Sequence, residues 1–425
     1  MRKWIDKNQI LLKPPVGFLF VLVVLSSSLF AQNNLSLVEA ISKAGINNPR
    51  LKSERLNVPM TASDLKQAQL YQNPTFNLQY MQLMPRSMYY DQSRSFLHGI
   101  NSQDWYQFTK KFQIFGQRKN KIDLAKMELS AAEINFLETK RNVLYEVGLK
   151  WVEAWRALAK KNLSIKAADY LDQYMSQNFD SLKNGGMKKE QSLRFSILDD
   201  QYDLERSIAE EAYFTAVEEL KLLLGTAEPI EMEINDTLET VSLSGSLDSL
   251  LVFASKNRND QKSFNIMKNY SLKNISYQRS LAIPQPEAGF IWNPQNTIPY
   301  LGLFYTQTLP FFDRNQAMVQ KAKLTFEKAS IDQETNKRKL ENEVSVAFSN
   351  YKKRFDMASK FKHNLKDSET LVKLVRESYL KNEEPLVDLW EAEQTWIQSY
   401  TLYYDAFADY RASYLTLLFQ LNLLE

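Results

Sequence analysis

The sequence predicts a mainly α-helical chain that also carries a few membrane-crossing β-strands. Three observations predict it: two long stretches without proline, a match of one half of the chain to the other, and short alternating segments ahead of each stretch. Proline is absent from residues 86–228 and again from 311–384, while Pro284, Pro286, Pro294, Pro299 and Pro310 crowd one region. Both proline-free stretches are rich in Ala, Leu, Lys, Glu, Gln and Met, side chains that lose little rotamer freedom in a helix.

Displaced by 197 residues, the sequence overlies itself. Phe112-Gln113-Ile114-Phe115-Gly116 falls on Leu309-Pro310-Phe311-Phe312-Asp313, and Lys140-Arg141 falls on Lys337-Arg338. Val143, Val147, Trp151, Ala154 and Leu158 fall on Leu340, Val344, Phe348, Tyr351 and Phe355, whose steps of three and four keep them on one helical stripe. An internal two-fold repeat follows. Its halves are residues 32–228 and 229–425, with long helix hairpins over 116–224 and 313–422. The outgoing helices would run from Gly116 to Gly185 and from Asp313 to Asn382. At about 1.5 Å per residue each spans on the order of 100 Å, too long for a globular core, so the helices must pack side by side as coiled coils or a tube. Gly185 and Gly186 suit the first reversal because glycine tolerates positive φ, Asn382 is the next best residue for the second, and Pro385 fits the first turn of the returning helix. Residues 33–72 and 225–281 are left for shorter helices.

Ahead of each long helix lies a pair of strand-like segments, near 75–81 and 105–114 and again near 287–293 and 300–309. Phe76, Leu78 and Tyr80 alternate with Thr75, Asn77 and Gln79, the period of a strand with two different faces. The segments approach the 9 to 11 residues of a tilted membrane strand, and Tyr80, Tyr89, Tyr90, Trp105, Tyr106, Trp292 and Tyr300 sit where interfacial aromatic girdles belong. Lys110 and Lys111 then fall near the helix-side end of the second strand. An open sheet edge cannot face lipid, so a few strands per chain would need other chains to close a barrel.

The N-terminus reads as an export signal over residues 1–31. Arg2, Lys3, Lys7 and Lys13 precede an apolar run from Val16 to Leu25, and the small-residue stretch that follows ends at Ala31. That run is shorter than the roughly 20 residues of a spanning helix. The chain carries 53 basic and 50 acidic side chains; without those four basic residues and Asp6 the remainder is formally neutral, which removes the electrostatic reason to expect nucleic acid. There is no cysteine, which excludes disulfides, thiolate metal sites, cysteine nucleophiles and a lipid on an N-terminal cysteine. His98 and His363 are the only imidazoles, and neither has a spaced partner, so no metal site, cofactor or catalytic group is expected and the chain does not read as an enzyme. Met81, Met84 and Met88 carry thioethers of the kind that bind Cu(I), but at a strand end and loop methionine more often fills gaps.

The order of signal, short helix, two strands, long helix, break and return helix, twice over, resembles the TolC family of outer-membrane efflux proteins along essentially the whole chain after the signal, in particular its heavy-metal and drug efflux branch. The segments that carry the resemblance most specifically are Phe112-Gln113-Ile114-Phe115-Gly116-Gln117-Arg118, at the strand-to-helix junction, and the stretch from Tyr379 to Ala392, at the tip of the second hairpin. The resemblance implies a homotrimer in which four strands per chain complete a 12-stranded barrel in the outer membrane, above an α-helical tunnel in the periplasm. It further implies passive conduction of substrates delivered by an inner-membrane pump, of RND type, through a periplasmic adaptor. An exit duct for type I secretion shares that architecture, and a periplasmic coiled-coil scaffold with soluble hairpins is the alternative outside it.

By the same resemblance Asp388 and Glu391, three apart on one helix face, match carboxylates at the narrow periplasmic entrance, and Tyr379 matches a gate tyrosine. The gate's expected basic residue is Glu384 here and the acid on the first hairpin is Ser192, so the family's ion pair has no counterpart. The tips at Gly185, Gly186, Asn382 and Pro385 would dock the adaptor.

Overall fold

The computed structural model describes residues 34–84, 86–88, 102–177, 189–232, 246–295, 298–381 and 383–424. The signal segment, His98, Gly185, Gly186 and Asn382 lie outside the described residues.

Strand β1 (Asn34–Leu35) leads into short helices α1 (Leu37–Asn47), α2 (Pro49–Arg55) and α3 (Asn57–Gln69). Ser36 caps α1 through its side chain, with Glu39 reaching back in a capping box. Strands β2 (Thr75–Gln82) and β3 (Ser102–Lys111) precede α4 (Gln117–Gln177) and α5 (Lys189–Leu224). Strand β4 (Glu231–Met232) pairs in parallel with β1. Helices α6 (Leu247–Asn257) and α7 (Asn259–Ser280) lead to strands β5 (Glu287–Gln295) and β6 (Ile298–Thr306), then α8 (Gln316–Leu380) and α9 (Leu386–Leu421). The chain is thus mainly helical, with one four-stranded antiparallel sheet in the order β2-β3-β5-β6.

The boundaries differ from the sequence reading in places that have local causes. Strand β3 ends at Lys111, short of residue 114, because the chain turns there: the Phe112 amide bonds the Pro286 carbonyl, and Phe115 and Gly116 both take positive φ, 54° and 77°. Strand β6 ends at Thr306, ahead of the Gln307-to-Pro310 connection. Helix α8 starts at Gln316 rather than Asp313, because Asn315 holds a left-handed conformation at its N-cap. The 61 and 65 residues of α4 and α8 correspond to roughly 90 to 100 Å each.

Helix α4 packs along α5, α7 and α9, and α8 packs along α7 and α9. Their buried stripes are narrow. Val143, Val147, Trp151 and Ala154 of α4 join Ala216 and Leu220 of α5 and Leu415 of α9 in one core cluster, where the Trp151 indole donates to the Leu35 carbonyl at 2.9 Å. Leu340, Val344 and Tyr351 of α8 pack with Leu417 and Leu421 of α9 in a second. Both return helices stop at a left-handed residue, Gly225 (φ 65°) and Asn422 (φ 59°). At Gly225 the chain runs so close to the Asn47 carbonyl that a Cβ would lie 2.5 Å from its oxygen, so glycine is required there. Large side chains remain outside: Leu193, Ile197, Leu204 and Ile208 of α5 are each more than half exposed, at steps of four, seven and four, an apolar stripe along one side of the helix.

Candidate functional site

The sheet has two chemically opposite faces, and the register fixes which residues share each. Phe76, Phe108, Phe290 and Leu303 form one continuous row across the four strands, and Leu78, Tyr106, Trp292 and Leu301 form the next row on the same face. Leu301 and Leu303 are 77% and 84% exposed. Between these rows, on the opposite face, run Asn77, Gln107, Ile291 and Gly302, followed by Thr75, Thr109, Gly289 and Phe304. One face is therefore apolar and uncovered, and the other is largely polar with small residues. Such a sheet, left in water, exposes a continuous apolar surface; in lipid the same arrangement is that of a barrel wall with a polar interior. No described helix is long and apolar enough to cross a membrane.

The far end of the helices holds the residues expected at the entrance. Leu386, Leu389, Ala392 and Trp396 turn into the protein, which leaves Asp388 and Glu391 exposed together on the other side of α9. Pro385 sits at the N-cap of α9, one position before the first turn where it was expected. Its extended ψ of 159° lets its carbonyl accept from the Asp388 and Leu389 amides and so open the helix ladder. Glu384, just ahead, hydrogen-bonds the Asp388 carboxyl, and that bond together with the negative charge of Asp388 pushes the Glu384 pKa above the ordinary glutamate value. Beside them, Ile197 and Leu198 of α5 with Leu386, Val387 and Trp390 of α9 line an open apolar recess of about 290 Å³.

Tyr379, at the end of α8, meets Tyr174 of α4 edge to face, with ring centroids 6.1 Å apart. Tyr174 leads to a cluster that sequence reasoning missed. The Arg376 guanidinium of α8 forms a two-pronged salt bridge to Glu393 of α9, at 2.7 and 2.8 Å, and the Tyr174 hydroxyl donates to the same carboxylate at 2.9 Å. Arg376 also stacks on Tyr170, 3.7 Å from its centroid, and lies 5.4 Å from that of Trp396. The pair is nearly closed off from solvent, with side-chain exposures of 18% and 8%. Burial opposes the Arg376 charge, yet its hydrogen bonds and attraction to Glu393 more than offset this and raise the guanidinium pKa. Burial and the Glu393 charge likewise raise the Tyr174 pKa. Gln394 donates to the Tyr202 hydroxyl of α5 at 3.2 Å, and Tyr400 bonds Glu369 of α8. Helix α9 is thereby tied to α4, α5 and α8 within a few turns of the tip. The sequence did hold a signal: Leu389, Glu393 and Trp396 are spaced four and three apart, which puts a carboxylate on the buried stripe of α9, where it needs a cation.

Other sequence candidates stay dispersed. His363 is exposed on α8, Met81 lies on the mainly polar face of β2, and Met84 and Met88 are exposed beyond it. Among the described residues no group of three or more His, Asp or Glu side chains is placed to hold a metal ion.

No protein-family model and no curated protein sequence matches the chain. Solved structures do. CusC, described with transmembrane channel formation, is 16% identical with a TM-score of 0.74, the alignment covering 92% of each chain. The outer-membrane channel CmeC of Campylobacter jejuni is 13% identical with a TM-score of 0.72, over 91% of this chain and 85% of CmeC. The outer-membrane channel MtrE of Neisseria gonorrhoeae, in an open state, is 14% identical with a TM-score of 0.73, over 92% of this chain and 90% of MtrE. The fold of this chain is thus the fold of these solved outer-membrane channels.

Proposed function

We propose that the chain is the outer-membrane duct of a tripartite efflux system and acts without chemistry of its own. Three copies, related by an axis through the tube, would supply twelve strands to a closed barrel and their long helices to a tunnel across the periplasm. Substrate would enter from an inner-membrane pump of RND type through a periplasmic adaptor docked at the hairpin tips. The internal repeat fits this reading, since two like halves per chain give a ring of six like units. The observation that carries it is the two-faced sheet: among the described residues its order leaves both edges unpaired, and an apolar face with a polar face behind it suits a barrel wall in lipid, closed by further copies. The unpartnered apolar stripe of α5 calls for the same neighbours. The similar structures are channels, which accords with a chain that is not an enzyme.

In such an assembly Asp388 and Glu391 would converge as six carboxylates at the entrance and favour cations. Planar-bilayer recording tests this. The wild type is expected to give a small, cation-preferring conductance, and Asp388→Ala with Glu391→Ala is expected to lose the preference. Glu384 adds a further carboxylate beside this ring, and because the hydrogen bond and charge of Asp388 raise its pKa, acidification should begin to weaken the preference above the ordinary glutamate range. Asp388→Asn should move that onset to lower pH. An ion preference indifferent to these changes would remove the carboxylate ring from the account, and a chain that forms no conductance would remove the duct.

A further inference from the structure

The apolar face of the sheet ends, on the helix side, in a pair of cations. Lys110 continues the face of Tyr106 and Phe108, since its partner across β5 is Ala288, in line with Phe290 and Trp292. Its ammonium lies 5.4 Å from the centroid of the Tyr71 ring, and the Arg118 guanidinium lies 4.2 Å from the same centroid. Arg118 is held there by a hydrogen bond from its Nη2 to the Gln69 carbonyl at 2.6 Å. Tyr71 is itself 69% exposed. Between residues 105 and 122 the chain carries Lys110, Lys111, Arg118, Lys119 and Lys121 and no acid, so no carboxylate of this segment neutralises the pair.

We infer that Lys110 and Arg118, gathered around Tyr71, bind the phosphodiester headgroup of an anionic glycerophospholipid in the leaflet nearest the helices, with its acyl chains lying along Phe76 and Phe108. The inference rests on the duct reading, which places this face in lipid. Three features converge on that occupant. The charge is positive where a headgroup phosphate would lie, the ring offers an amphipathic surface at the depth where interfacial aromatics reside, and the rows beyond it are apolar. A soluble anionic partner would match the charges and leave the adjoining apolar rows uncovered.

Intact-mass spectrometry of the purified detergent complex tests the site, with phosphatidylglycerol or phosphatidylcholine as the added lipid. The wild type is expected to retain phosphatidylglycerol in preference. Lys110→Gln with Arg118→Gln should reduce that preference roughly thirtyfold, and Lys110→Gln alone, which keeps the Arg118 tether, roughly fivefold. Lys111→Gln, on the opposite face, should behave as wild type. Equal retention of both lipids by the wild type would overturn the inference, as would an undiminished preference in Lys110→Gln, while leaving a conducting duct in place. A chain that neither enters vesicles nor conducts would overturn the duct and this site together.

Discussion

Glu393→Ala is expected to loosen the end of the helices that carries Asp388 and Glu391, at a cost of about 3–5 kcal/mol. Removal of the carboxylate leaves the Arg376 charge largely enclosed by Tyr170 and Trp396, and deprives the Tyr174 hydroxyl of its acceptor. An isolated buried charge is far more costly than no charge, so the double replacement Arg376→Met with Glu393→Leu should recover most of the loss. Thermal unfolding of the three variants checks this, and equal losses in the single and double variants would contradict it. If the cluster also braces the entrance, Glu393→Ala should raise conductance and the double replacement should return it toward wild type. Because the raised pKa values belong to a guanidinium and a phenol, their contribution is fully present below the unfolded-state values and is lost only in strong alkali. The brace should therefore hold from neutral pH up to strong alkali.

The second large effect is expected at Leu303. It is 84% exposed in the row with Phe76, Phe108 and Phe290, and an arginine there should cost about 2–4 kcal/mol per chain if the row lies near the middle of a bilayer. Gln107→Arg, one residue from that row but on the other face, should insert almost normally. The measurement is the yield of membrane-inserted protein for each variant. A soluble hairpin would reverse the expectation, since an added charge on an exposed apolar face in water improves solubility and costs little.

Much of the helical architecture was legible because its cause is local and extended. Proline-free runs rich in good helix formers became α4 and α8, and Val143, Val147, Trp151 and Ala154 became a buried stripe as their spacing required. The two faces of the sheet were legible in β2, where Phe76, Leu78 and Tyr80 alternate with polar residues. They were less so in β3 and β6, whose apolar continuations, Phe112 to Ile114 and Leu309, are connections. There the deciding factor is a left-handed pair, Phe115 and Gly116, or a proline at 310, and alternation alone does not reveal it. The Arg376–Glu393–Tyr174 cluster joins three helices across long sequence separations, so only the packing shows which cation meets the carboxylate. Glu393 on an otherwise apolar stripe marked the need for a partner without identifying it.

In the proposed duct this chain closes into a membrane-spanning tube only with copies of itself. Outer-membrane fractionation followed by electrophoresis without heating, with the native mass measured in detergent, tests it most directly. A membrane-bound trimer that dissociates to monomer on heating is expected. A water-soluble monomer would contradict it.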